Sequence, residues 1–545
     1  MRIIRQIGAG LVAIAMLVFT ISAFIGGVRV DEQSFNEYVT NNGWQSKLVK
    51  SNVRHAIVDK EFTSKGAFSS AIVEAIESAN KVHESNQEWG MILWTSPRDV
   101  SFAFSQDHAL GPVVENRGLF LFLTLGLGVI GGLMFILPGI VLEGPPGIKN
   151  HHVYQQKSTG RGWIAYLVFF WLIGFYILLY FYPDLIVNWT FIVQPLKSAW
   201  SDSTASQWFL YGVLYCVIML VMGIRMYVKY RHNRYQIVRT TSVLFFQLVF
   251  AFGLIEVLEY CNLPSVDLKN VWPLDYDFLF DWNVASLLQT ESYGKMGLFV
   301  LVWGVVLALI LVPVFVYLFG KRWYCSWVCG CGGLAETLGD PYRQHSSKSL
   351  FSWKIERWLV HAVLVFAVLM TAWVGFHSYA VINSPDTAND VANMHIPLVN
   401  WDWTVFDIRK YYGFAIGSIF AGVIGTGFYP IFGNRVWCRF GCPLAAYMGI
   451  IQRFKSRFRI TTNGGQCISC GNCSTYCEQG IDVRWYAQRG QNIVRASCVG
   501  CGVCSAVCPR GVLKLENGPE EGRMQDNPII IGNEGIKLNP EVVES

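Results

Sequence analysis

Charge is scarce in this sequence. Of its 545 residues only 15% are Asp, Glu, Lys or Arg, against 52% hydrophobic. A water-soluble domain carries about a quarter charged residues, so a single large soluble globule is excluded and a polytopic membrane chain is favoured. Cysteine is missing from residues 28–117. That absence excludes a disulfide framework there and any CxxCH for haem attachment. No convincing Ser/Thr-Gly-Ala-Thr flavinylation site is found either. Histidine is also sparse, at 10 residues. A bis-histidine haem needs two histidines facing each other from different spans, yet His361 and His377 share one expected span, so no haem is predicted. The net charge is only +5, and the basic residues sit in short loops beside apolar runs, so nucleic acid is not an expected partner.

What is present is length in apolar runs. Residues 1–27 begin with Arg2 and Arg5 and continue as an apolar stretch, readable as a retained anchor or a signal peptide. Residues 28–117 are mixed and polar, with the helix-like "SSAIVEAIESANKVHE", and are expected to form a small extracytoplasmic domain. Runs near 118–142, 163–183, 209–228, 241–260, 297–320, 358–378 and 413–432 are each long enough for about 30 Å of hydrocarbon. With the first run, this predicts eight spans in a polytopic domain over 118–462. Loops such as "KYRHNRYQIVR" are basic, whereas "SVDLKNVWPLDYDFLFDWN" is acidic. The positive-inside rule then places both termini and the cysteine-bearing loops in the cytoplasm of a bacterial inner membrane. "GIIQRFKSRFRI" reads equally as an interfacial helix or a basic linker. Residues 517–545 are expected to be a cytoplasmic tail.

The cysteines carry the chemistry. All but Cys216 and Cys261 lie after Lys321, mostly at tight spacings suited to metal ligation in a reducing compartment. "CISCGNCSTYCEQG" and "CVGCGVCSAVCPRG" repeat the spacing C-x2-C-x2-C-x3-C. Three closely spaced thiols wrap one iron–sulfur cubane and the fourth reaches the other. The spacing therefore assigns Cys467, Cys470, Cys473 and Cys508 to one [4Fe–4S] cluster, and Cys498, Cys501, Cys504 and Cys477 to a second. Gly471, Gly500 and Gly502 would let backbone amides approach cluster sulfur. Paired zinc sites are the competing reading, but zinc does not need the x3-C tail or the two-fold repeat. In the first motif Glu478 follows Cys477, where proline is usual. Residues 463–516 are thus an expected α+β two-cluster ferredoxin-like domain below a mostly α-helical membrane bundle.

Two further motifs close apolar runs: "KRWYCSWVCGCGG", with Cys325, Cys329 and Cys331, and "NRVWCRFGCPLAAYMG", with Cys438 and Cys442. Paired C-x3-C motifs between spans, followed by a two-cluster ferredoxin, resemble the membrane polyferredoxins of the NosR, NapH and CcoG type over roughly residues 297–516. Here Cys442 is followed by Pro443 as in that family, but Cys329 is followed by Gly330 and an extra Cys331. The NosR-type flavin signature and a CcoG-type immunoglobulin-like domain are both lacking. The resemblance implies membrane-bound electron transfer, with quinone or quinol, a redox partner protein and the lipid bilayer as partners. It also implies either quinol oxidation feeding a respiratory reductase or reduction of a metal such as copper during enzyme assembly. A membrane redox sensor is the third reading.

For Cys325, Cys329, Cys438 and Cys442, three roles are open: four ligands of an iron–sulfur or copper centre, a redox dithiol, or buried small hydrophobes. Arg322, Arg435 and Arg439 are expected to lower their thiol pKa. No catalytic residue is identified. Glu256 and Glu259, three apart at the outer end of the fifth span, read as snorkelling acids or as proton acceptors for a quinol.

Overall fold

In a computed structural model of the protein, the described residues are 2–143, 160–199, 201–261, 263, 268, 272–274, 278, 283–284, 287, 294–383, 395–398, 401–404, 414–518, 530–532 and 535–537. The chain forms a mostly helical structure with two compact units. One comprises Met1–Glu143, Leu167–Val228 and Phe252–Leu263, the other Gly144–Tyr166, Lys229–Ala251 and Pro264–Ser545. Among the described residues, 7 helices are long and apolar enough to cross a membrane: Arg2–Ser22, Arg117–Pro138, Trp163–Phe181, Gln207–Lys229, Arg234–Tyr260, Met296–Phe319 and Leu350–His377. The eighth expected run corresponds to a shorter apolar helix, Ala415–Gly427. Residue 413, the first of that run, lies outside the described residues.

In the first unit, Arg2–Ser22 packs on Arg117–Pro138 through glycine. A Cβ on Gly8 would lie 2.7 Å from the Gly131 carbonyl oxygen, and one on Gly131 would lie 2.8 Å from the Leu11 Cβ. Lipid gives apolar side chains no reason to associate, so close backbone approach through small residues supplies the contact. Between these helices the chain forms a helical domain with a three-stranded antiparallel sheet. Its strands are β1 (Gly27–Arg29), β2 (Glu61–Phe62) and β3 (Ala109–Leu110), in the order β2-β1-β3. Helix Lys47–Ile57 buries Val49, Val53 and Ile57, and helix Lys65–Ser85 buries Phe68, Ile72, Ala75, Ile76 and Ala79. These are i, i+3, i+4 stripes that make one apolar core. Ser46 caps the first helix by accepting from the Val49 amide at 3.1 Å, and its hydroxyl is held by His83 at 2.6 Å.

The acids at the end of the fifth span have a partner in the same unit. Lys197, buried at the end of helix Val187–Lys197, donates to Glu256 at 2.6 Å and Glu259 at 3.3 Å. The paired ammonium accounts for both acids as structural charges.

The second unit gives the two C-x3-C motifs one local design. Met296–Phe319 ends at Gly320 and Tyr429–Phe432 ends at Gly433, with φ of 67° and 97° that an L side chain rarely adopts. Each turn leads into a short helix, Arg322–Cys325 or Val436–Phe440, carrying the first cysteine. The second cysteine is then the N-cap of a following helix: Cys329 for Gly330–Glu336, Cys442 for Pro443–Lys455. The backbone closes equivalently, with the Cys329 amide donating to Tyr324 and the Cys442 amide to Trp437, each five residues back. Pro443 sits at the first helical position, where a missing N–H costs nothing.

After Lys455 the chain enters the ferredoxin region. Two strands, here β4 (Phe458–Thr462) and β5 (Leu513–Asn517), pair antiparallel from Phe458↔Asn517 to Thr462↔Leu513. They bracket both cysteine motifs. Each motif contains one helical turn, Asn472–Thr475 or Val503–Ala506, entered through a left-handed glycine, Gly471 or Gly502. At both positions the backbone conformation requires glycine.

Candidate iron–sulfur sites

The thiols gather into three groups. Cys467, Cys470, Cys473 and Cys508 line one cavity beside Arg484 and Arg510. Cys508 comes from the second motif, so the two motifs cross. Cys477, from the first motif, acts electrostatically on Cys498 and Cys504 of the second. All eight pack within or against the core beneath the β4–β5 ribbon, except Cys470 and Cys501.

Cys501 packs instead against a second core. Its buried members include Cys325, Cys329, Cys438 and Cys442, with Val499 in the same cluster and Cys331 against it. The two C-x3-C pairs therefore converge although 109 residues separate Cys329 from Cys438 in sequence. Cys331, which the sequence offered only as an extra, is the fifth thiol of this group. Its thiol interacts with Cys329, Cys438 and Cys442.

The expectation of low thiol pKa values is overturned. Burial pushes Cys325 up to about 12, and pushes Cys438 and Cys442 up as well. A hydrogen bond with Cys329, together with burial, raises Cys331. Desolvation penalises the thiolate more than the nearby cations favour it. Of the three arginines expected to supply charge, only Arg435 reaches a thiol, with Nη1 3.8 Å from the Cys438 Sγ. Arg322 is sandwiched over Tyr235, Trp327 and Phe458 at 5.7, 5.5 and 4.8 Å. Arg439 donates to Glu356 at 2.7 Å and to the Ser347 carbonyl at 2.7 Å. Metal ligation takes the thiolate, so raised thiol pKa values mean that metal loading there releases protons.

Sequence reasoning missed a buried ionic ring beside the thiols. Arg343 uses every nitrogen: Nε donates to Asp340 at 2.8 Å, Nη2 to Glu336 at 2.6 Å and Nη1 to Glu478 at 2.5 Å. Arg435 closes the ring, with Nη2 2.6 Å from Glu336 and Nε 3.1 Å from Glu478. Arg239 adds a third guanidinium, 2.5 Å from Glu336 and donating to the Cys501 carbonyl at 2.8 Å. Each of these six side chains is within 3% of complete burial. Burial alone would raise the Glu336 carboxyl, but Arg239, Arg343 and Arg435 hold it down at about 2. Glu478, read from the sequence as a lost proline, is here an anchor: Asn434 also donates to it at 3.2 Å. The signal was visible in part, since Glu336, Asp340 and Arg343 follow the first C-x3-C at helical spacing.

Several contacts fix the loop that carries Cys498 and Cys501 to the C-x3-C region. Ser326 donates to the Val499 carbonyl at 2.8 Å and Tyr235 to the Gly500 carbonyl at 2.7 Å. Gln452 accepts from the Lys321 amide at 2.7 Å while donating to the Cys498 carbonyl at 2.8 Å. The Lys321 ammonium, only 2% exposed, acts on both Cys325 and Cys498.

The donor chemistry suits anionic sulfur clusters. Buried N–H groups without an acceptor include Nε and Nη2 of Arg239, Nε of Arg322 and the indole Nε1 of Trp323 and Trp437. An orphaned buried donor is costly, and cluster and thiolate sulfurs accept from such groups. A separate cavity of about 380 Å³ opens beside Cys438, lined by Trp353, Arg357, His361, Tyr486 and Arg495 among others.

Comparison with known proteins agrees with this chemistry. Residues 302–355 and 412–461 match a "4Fe-4S binding domain" family, spanning both C-x3-C motifs, and residues 459–509 match a "4Fe-4S dicluster domain" family. The chain is 27% identical over 201 residues to "Putative electron transport protein YccM" of Escherichia coli (strain K12), covering 37% of this chain. The match spans 53% of that protein, about half its length. It is 24% identical over 256 residues to "Methylamine utilization ferredoxin-type protein MauN" of Methylobacillus flagellatus, covering 45% of this chain and 77% of that protein. No solved structure matches. The chain is an iron–sulfur protein with 4Fe–4S ferredoxin-type domains and apolar helices of membrane-spanning length, homologous to proteins of electron transport.

Proposed function

We propose that this protein is a membrane-bound electron carrier of the NosR/NapH/CcoG type. In this reading it passes electrons between the quinone pool and a respiratory reductase or its maturation system, and residues 28–117 lie on the outer side of a bacterial inner membrane. Three [4Fe–4S] clusters would serve it. Cys467, Cys470, Cys473 and Cys508 would hold one, Cys498, Cys501, Cys504 and Cys477 a second, and Cys325, Cys329, Cys438 and Cys442 a third. The observation that carries the reading is the unbroken succession of the three thiol groups: Cys501 packs on the core that contains Cys325, Cys329, Cys438 and Cys442. Each cluster, when bound, accepts and returns one electron.

The chain's own residues supply the rest. Ser326, Tyr235 and Gln452 hold the 498–501 loop, so spacing between the second and third groups is fixed rather than left to collision. The surrounding apolar core excludes water, which shields the sulfurs and strengthens every local electrostatic term. The cavity beside Cys438, lined by Trp353, His361 and Tyr486 among others, is where a quinol ring would bind.

The test uses the anaerobically purified full chain with a reduced menaquinone analogue, followed by EPR and visible bleaching. Reduction supports the quinol-linked reading. Bleaching by dithionite alone would overturn it and favour a soluble ferredoxin as donor. Iron analysis of Cys438→Ser checks the third site, with an expected loss of about four irons per chain. Unchanged iron would remove that cluster.

Cys331 supports a second reading. Five thiols exceed the four a cubane needs, which leaves one for a softer cargo such as Cu(I). If the protein reduces copper for an oxidase or reductase, anaerobic copper binding falls in Cys331→Ser while iron content does not.

A further inference from the structure

We propose that Arg343 and Arg435, tied together by Glu336, set the reduction potentials of two neighbouring iron–sulfur centres as one unit. This rests on the reading that the C-x3-C group and the Cys477/Cys498/Cys501/Cys504 group each hold a cluster. Two guanidinium groups point at sulfur from one ionic ring. Nη1 of Arg435 lies 3.8 Å from the Cys438 Sγ, and Nη1 of Arg343 lies 4.0 Å from the Cys501 Sγ. The two sulfurs belong to different groups.

An N–H aimed at a ligand sulfur stabilises the extra negative charge of the reduced cluster and so raises its potential. The strength of each N–H depends on what holds the far side of the guanidinium. Glu336 holds both: Oε1 accepts from Arg435 at 2.6 Å and Oε2 from Arg343 at 2.6 Å. Its two oxygens therefore couple the two arginines. Glu478 doubles the link, at 2.5 Å from Arg343 and 3.1 Å from Arg435, and it is the residue next to Cys477. The ring is buried, so solvent and salt screen it little, and Glu336 carries a fixed charge because three guanidiniums surround it. Arg343 and Arg435 act on ligand sulfur directly; Glu336 is a positioning residue.

The arrangement predicts a signature that a merely structural ring would not give. Removing the Glu336 charge unmasks both guanidiniums and raises two potentials at once. Removing Arg343 uncovers carboxylates and lowers chiefly the potential of the centre at Cys501. The group at Cys467, Cys470, Cys473 and Cys508 lies in a cavity lined by Arg484 and Arg510 rather than by these residues, and stays unchanged.

An EPR-monitored redox titration of the full chain, loaded and anaerobic, tests this on Glu336→Gln, Arg343→Gln and Arg343→Lys. Glu336→Gln is expected to favour reduction of two centres by on the order of tenfold, about 59 mV for one electron. Arg343→Gln shifts one centre downward, and Arg343→Lys recovers part of that shift. Unshifted potentials in Glu336→Gln with full iron content would overturn the proposal, as would an equal shift of all three signals. Should Glu336→Gln fail to load, Glu336→Asp keeps the charge but shortens its reach. Smaller upward shifts in the same two signals are then expected, and none would overturn the coupling. Iron content and signal number of the wild type separately decide whether the third cluster exists, so that failure is distinguishable.

Discussion

The helical domain of the first unit and the thiol-bearing part of the second solve the same problem in opposite ways. The first fills its interior with Val28, Phe35, Val53, Phe68, Ile72 and Phe104, all at most 2% exposed. The second buries Arg239, Arg343, Arg435, Glu336 and Glu478 among thiols. A core built only for stability does better with apolar residues, because the desolvation of buried charges consumes most of their mutual attraction. Where a protein nonetheless buries a closed ring of charges, a functional demand on that spot is the economical explanation. Here the demand is a set of fixed donors and charges around sulfur.

Three substitutions sharpen that contrast, taken from the largest expected effect. Arg435→Met leaves Glu336 and Glu478 with less compensation in the interior, and should cost roughly 3–5 kcal/mol, the usual penalty for breaking a buried pair. Thermal unfolding of the detergent-solubilised chain should show this together with altered iron content. Phe68→Ala in the helical domain opens an apolar cavity, and should cost about 3–5 kcal/mol with iron content and EPR spectrum unchanged. If Phe68→Ala also empties the clusters, the two regions do not fail independently.

The third concerns the single buried charge in the helical domain that burial alone perturbs. Desolvation lowers the Lys65 pKa to about 8 from an ordinary 10.5, while its ammonium donates to the Ile25 carbonyl at 3.3 Å. The unfolded chain therefore binds more protons than the folded one between these values, so stability rises as pH increases from about 8 to 10.5. Below pH 8 the folded state bears the full penalty. Lys65→Met should thus raise the unfolding temperature at pH 7, by up to about 3 kcal/mol of stability, with the gain fading toward pH 10.5. A pH-independent gain would place the effect in packing rather than in charge.

Much of the architecture was legible because it is written in local periodicity and spacing. Apolar runs give helices whatever they pack on, and seven of the expected runs are helices of membrane-spanning length. The left-handed glycines, Gly471 and Gly502, sit at matching positions of the two ferredoxin motifs because each needs the same turn. Glu478 was misread because its partners are remote in sequence: Arg343 lies 135 residues earlier. Local reasoning saw only a missing proline. The thiol pKa expectation failed for a related reason. Arg322, Arg435 and Arg439 flank the cysteines in sequence, but burial and the partners chosen by Arg322 and Arg439 are properties of the packed chain. The convergence of Cys331 with the two C-x3-C pairs was equally out of reach of spacing.

By itself the sequence determined the helices, the crossing cysteine motifs and the presence of a soft-metal chemistry, since these depend on residues within a few turns of one another. Only the tertiary structure decided which thiols share a core, which arginines reach sulfur and that two carboxylates bind them into a ring. Those contacts join segments about a hundred residues apart, and their electrostatic weight comes from exclusion of water, which no local pattern records.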